Sequence, residues 1–247
     1  VKVPAAGPSR TAFVTAADDL ADRVLSALRG AENAPFLARH VEQAPDRGAA
    51  LAAVRLVGAD VFVPHLLAGF PLDGQDAAAV TRSLAVFPQE AVIAGAGDAG
   101  SAVAWRDWAV AELLTRFDGG RPAVPPGEEP AEDPAATGWR PWCARMAGLS
   151  PLAIAGLDGP VHQAARCGAL PLSRGAARSM LRRDYLTAVR LIRWLAWLHH
   201  DGVPLPLDLE AALDHAVLLG GHGPRTALDI AVAERLLGRP DDAHRRR

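Results

Sequence analysis

The chain holds two cysteines and eight histidines, and four of these ten residues suggest metal chemistry. Cys143, Cys167, His162 and His222 would supply thiolate and imidazole donors, the set that zinc prefers. Two thiolates and one imidazole leave a fourth position for water or substrate, where zinc activates a thiol or a water. The same residues also read as buried structural cysteines and a histidine in a turn. A second group suits acid–base work: Asp184 and Tyr185 in sequence, with the pair His199 and His200 further along. Adjacent histidines on a helix point about 100° apart, so the pair does not share one metal ion easily. Their plainer role is to satisfy the last carbonyls of a helix and its dipole. Arg178 and Arg182 stand four apart, with Arg183 next to them and Arg190 and Arg193 beyond. Such spacing clamps a phosphate or carboxylate, or simply forms a solvated face paired with Asp184. Trp105, Trp108, Trp194 and Trp197 could line an apolar cavity and stack on a ligand, or fill the core.

The fragment WCARMAGLSPLAIA, from Trp142 to Ala155, resembles the tryptophan–cysteine–glycine motif of lanthionine cyclases. The fragment GGHG, Gly220 to Gly223, is similar to the glycine–histidine pairs of that family. The resemblance implies an α/α toroid and, at these residues, zinc. The chain departs from the pattern in two places. No glycine sits two residues after Cys143, and Gly168 rather than histidine follows Cys167. The likeness covers short fragments and assigns no membership.

The elements that must position these residues read as helices. Half of the 247 residues are hydrophobic and only 5% are aromatic, with alanine and leucine carrying the apolar load. That composition favours an all-α chain. Thr15 is read as the cap of a first helix and Asn33 of a short second one, and Pro45 and Asp46 start a third, from Gly48 to about Val57. Asp73 or Asp76 starts the next, Pro88 begins a short one, and a long helix runs from Ser101 to Arg116. The glycines at 95, 97 and 100 lack the spacing and lysine of a phosphate loop and read as a connection. Residues 119–138 are rich in proline, glycine and acid, which predicts a linker or mobile loop. Beyond it, Ser173 is expected to cap one long helix through His199, and Asp208 a helix to Leu219. The division expected is an N-terminal helical half (1–118), the linker (119–138) and a C-terminal helical half with a frayed tail (139–247).

Three fragments recur in the same order. AVRL occurs at Ala53 and Ala188, GFPL at Gly69 answers GVPL at Gly202, and DWAVAE at Asp107 answers DIAVAE at Asp229. An internal duplication follows, giving an array of antiparallel helical hairpins that bury their faces on one another and can close into an α/α toroid. Net charge is −2 and the isoelectric point is about 6.5, so no general field draws nucleic acid or an anionic membrane. The first residues show no charged stretch leading into an apolar one, and no apolar run approaches the ~20 residues of a membrane span. A cytoplasmic protein with free thiols is expected. The functional expectation is a helical protein that binds a small molecule, a peptide or a partner protein in a groove between two related halves. The alternative is a toroid enzyme, zinc-dependent through Cys143, Cys167 and a histidine, acting on a small molecule or peptide.

Overall fold

The computed structural model describes residues 10–32, 34–87, 98–119, 121–126, 138–220 and 223–239. Among them every regular element is helical. Expectations at Asn33, at 88–97, along 127–137, at His222 and in the tail beyond 239 lie outside the described residues.

The N-terminal helices are α1 (Arg10–Leu28), α2 (Phe36–Gln43), α3 (Arg47–Val57), α4 (Val63–Leu67), α5 (Gly74–Val86) and α6 (Asp98–Asp118). A 3-10 turn, Gly58–Phe62, joins α3 to α4. Helix α1 begins earlier than its sequence suggests, so Thr15 lies within it and is no cap. Asp46 does cap α3, accepting from the amide of Ala49 at 3.0 Å. Asp73 caps α5, accepting from Gln75 at 2.7 Å.

Asp76 has a different task from the one its sequence position suggests. It is fully buried on α5, and its carboxylate receives the backbone N–H groups of Phe36 (3.1 Å) and Ala38 (2.9 Å). It therefore caps α2 from a neighbouring helix, satisfying donors that α2 leaves open at its own start. Replacing Asp76 with alanine leaves two buried N–H groups unpaired and is expected to remove about 1–3 kcal/mol of stability. Urea unfolding measures this, and an unchanged midpoint would mean that water reaches the α2 end.

The stretch Arg47–Leu67 is the one segment among the described residues that is long and apolar enough, by composition, to cross a membrane. In the fold 72% of its most apolar window is packed inside the molecule, and its 3-10 turn interrupts it.

The C-terminal helices are α7 (Trp139–Gly148), α8 (Pro160–Cys167), α9 (Ala169–Leu181), α10 (Tyr185–His200), α11 (Leu209–Leu219) and α12 (Pro224–Leu236). A short 3-10 turn, Ser150–Leu152, follows α7. The single long helix expected from Ser173 to His199 is two helices. Ser173 sits inside α9 and its hydroxyl donates to the carbonyl of Ala169, four residues back. The break falls at Arg183, whose φ of +59° is the left-handed conformation that glycine usually supplies. There the amide of Asp184 returns to the carbonyl of Ser179, and the Asp184 side chain caps α10 by accepting from Thr187.

Helix α10 is the hub. It packs on α7, α9, α11 and α12, and every side chain from Leu191 to Leu198 is buried. A helix apolar on nearly all sides belongs at the centre of such a bundle. It ends where Gly202, with φ +79°, lets the amide of Val203 return to the carbonyl of Leu198. Gly175 brings α9 close to its neighbours: a Cβ there would stand 2.7 Å from the sulfur of Cys143 and 3.0 Å from Leu191. The first and last described helices also meet. Helix α1 packs on α12, with Arg225 reaching Asp18 (3.0 Å) and Arg235 donating to the carbonyl of Leu28. The start of the proline-rich stretch is anchored, because Ala123 bonds Glu112 through its amide and the Trp108 indole through its carbonyl.

Candidate functional site

A single guanidinium joins the two sets of helices. Arg193 projects from the middle of α10 and its side chain is fully buried. It donates to Asp60 at 2.5 Å and to Asp229 at 2.8 Å, and also to the carbonyls of Ala153 (3.2 Å) and Pro151 (3.4 Å). Asp60 belongs to the 3-10 turn after α3 and Asp229 to α12, so one cation fixes three elements at once. Burial raises the pKa of Asp60 to about 6, with Arg193 pulling the other way and Asp229 adding to the rise. Arg190, one turn earlier, lies 3.7 Å from the second oxygen of Asp229. On the N-terminal side Arg55 of α3 makes a two-point ion pair with Asp107 of α6.

Above this network opens a cleft of about 240 Å³. One wall is formed by Leu56, Val57, Ala102, Val103 and Arg106, from α3 and α6. The other is formed by α7, α10, α12 and the second 3-10 turn, including Ser150, Arg190 and Arg225. Asp60 and Asp229 lie in its lining, already engaged by Arg193. Arg190 and Arg225 are partly engaged, by Asp229 and Asp18. Arg106 forms no hydrogen bond or ion pair among the described residues. Burial lowers its pKa, and the charges of Arg190 and Arg55 add to this against the pull of Asp107. Cations therefore outnumber the anions at this cleft, and one of them has donors to spare. Such a site can receive an anion through charge-assisted hydrogen bonds.

The residues singled out from sequence fall elsewhere. Cys143 is buried on α7, where its thiol donates to the carbonyl of Pro171 and burial pushes its pKa to about 11. Burial therefore favours the protonated thiol at neutral pH. Cys167 is exposed at the end of α8. His162 is fully buried between Trp194 and Trp197, with ring centroids 5.5 and 4.9 Å away. Its Nε2 lies 2.9 Å from the carbonyl of Leu152, and burial drives its pKa down to about 4. The ring is thus neutral, with the Nε2 proton on Leu152. Among the described residues no set of three histidine, cysteine or carboxylate groups is placed to hold a metal ion. The described donors do not fit a shared zinc, and His222 lies outside them.

Asp184 and Tyr185 begin α10 while His199 and His200 end it, about 20 Å away at 1.5 Å per residue. The Tyr185 ring lies 6.2 Å from His215 instead. Arg178, Arg182 and Arg183 cluster at the end of α9 and the following turn, with no ion pair among the described residues. Trp105 and Trp108 meet edge to face at 5.4 Å, and Trp194 and Trp197 at 5.9 Å, each pair within the core. Trp194 donates its indole N–H to Met146, a partner that a buried indole needs.

Of the cleft residues, Arg190 and Arg193 stand out in the sequence only as members of an arginine series. Arg106 and Arg225 carry no local signal. Asp229 does, as the first residue of a repeated fragment whose other copy starts with Asp107. Comparison with known protein families, with curated proteins and with solved structures finds no match.

Proposed function

We propose that this is a ligand-binding helical protein that takes a small anion in the cleft between its N-terminal and C-terminal helices. Arg106 carries the reading: a half-buried guanidinium with no hydrogen bond or ion pair among the described residues, beside Arg190 and Arg225, above carboxylates that Arg193 already occupies. Partial burial of a cation without a partner is unfavourable, and an arriving carboxylate or phosphate offsets that through charge-assisted hydrogen bonds.

The framework behind the cleft is, on this reading, a duplicated helical unit closed into a ring. Three parallels support it. Arg55 pairs with Asp107 as Arg190 pairs with Asp229, and each pair joins the two recurring fragments AVRL and DxAVAE. Gly69 and Gly202, at the two GxPL corners, both have positive φ. Asp73 and Asp208 cap the helices that follow those corners. Packing of α1 on α12 supports closure.

The test is calorimetric titration of the protein with acetate, benzoate and inorganic phosphate, alongside Arg106→Met. That variant loses no internal hydrogen bond, so its fold should persist. Loss of one charge-assisted contact weakens binding by roughly tenfold or more. Equal affinities for the two proteins, or no binding to either, would remove the proposal.

A further inference from the structure

The cationic cleft does not end at Arg106. Leu56, Val103 and Arg106 also line a second hollow of about 340 Å³, completed by Phe13, Ala52, Arg55, Phe87 and Asp107. Its lining is apolar except at one edge, where Arg55, Arg106 and Asp107 stand. Arg55 pairs with Asp107 through Nε and Nη2 while its buried Nη1 has no hydrogen-bond partner, and Arg106 has no ion pair among the described residues, so this edge is cationic. Leu56 is 44% exposed, a large aliphatic side chain kept at the surface where the two hollows join. A hollow of this size reaches the range that encloses small organic ligands.

We infer that the ligand is an amphipathic monoanion, its charged head at Arg106, Arg190 and Arg225 and its aliphatic or aromatic body against Phe13, Leu56 and Phe87. Two features of the lining set this class. The polar side supplies cations beyond those its carboxylates neutralise, which suits one negative charge. The apolar side offers Phe13, Ala52, Leu56, Phe87 and Val103 to an aliphatic or aromatic body, and its single carboxylate is already paired. The inference rests on the anion-binding reading above and narrows it.

The probes are n-alkyl carboxylates of four, eight and twelve carbons, titrated into wild type, Leu56→Gln and Arg106→Met. In wild type, affinity should rise with chain length, by up to roughly fourfold per buried methylene. Leu56→Gln, a change at an exposed position, should flatten that gradient, with the smallest loss for the four-carbon acid. Arg106→Met should weaken all three acids alike and keep the gradient. If affinity is independent of chain length while Arg106→Met still weakens the four-carbon acid, the apolar half falls and the anion site stands. If Arg106→Met leaves every acid unaffected, the anion reading falls with it.

Discussion

Arg193→Met is expected to lower the free energy of unfolding by about 3–5 kcal/mol, the loss that follows removal of one partner from a buried ion pair. The side chain is fully buried and serves two carboxylates and two backbone carbonyls, so its removal leaves several acceptors without a donor. Water cannot fully replace it, because Asp60 and Asp229 are themselves 10% exposed or less. A typical domain has only about 5–15 kcal/mol to lose, so the variant should unfold at markedly lower urea concentration. Most of the loss comes from the stranded carboxylates rather than from the missing attraction. The triple variant Arg193→Met, Asp60→Asn, Asp229→Asn should therefore recover part of it, since neutral amides tolerate burial better than unpaired charges. A single variant within 1 kcal/mol of wild type would mean that the network is solvated and holds little together.

The network explains which parts of the molecule can be read from its letters. Helix class follows from alanine- and leucine-rich periodicity, and Asp46, Asp73 and Asp208 announce their helix starts because a capping carboxylate acts on an amide two or three residues on. Such interactions are local, so spacing reveals them. Asp76 and Asp184 mark the limit. Asp76 has the spacing of a local cap but serves a helix some forty residues earlier in the chain. Asp184 sits where a continuous helix seemed natural, and the break depends on Arg183 taking a conformation that its residue type disfavours. Arg193 and Asp60 are separated by 133 positions, and no periodicity connects them. The usable hint was an arginine inside LIRWLAWL, where apolar neighbours surround it on every helical face. Such a residue has no solvated face to occupy and must find a buried counter-charge. The recurring fragments held a second hint: each AVRL supplies an arginine and each DxAVAE an aspartate, and these pair in the structure. Arg106 is different, since its significance is a missing partner, which only three-dimensional neighbours can reveal.

Two buried groups should make stability respond to pH in opposite directions, and the wild type should conceal both. His162 has its pKa lowered by burial from 6.5 to about 4. Its contribution is complete above the unfolded value of 6.5 and is lost as pH falls through the folded value. Asp60 has its pKa raised by burial from 3.8 to about 6. Its contribution is complete below 3.8 and is lost as pH rises through the folded value. The two windows nearly coincide and the effects have opposite signs, so between pH 4 and 6 the two groups oppose each other. His162→Phe keeps a ring between Trp194 and Trp197 but cannot titrate, so its unfolding free energy, relative to wild type, should fall as pH rises from 4 to 6. Asp60→Asn should do the reverse and gain stability over the same range. Each substitution also carries a pH-independent penalty, for the stranded Leu152 carbonyl or for the weakened bond to Arg193, which shifts the whole curve and leaves its slope untouched. Urea midpoints at half-unit steps of pH separate slope from offset. Parallel curves for wild type and both variants would show that neither group is held away from its ordinary pKa, and the dry interior inferred around Arg193 and His162 would have to be abandoned.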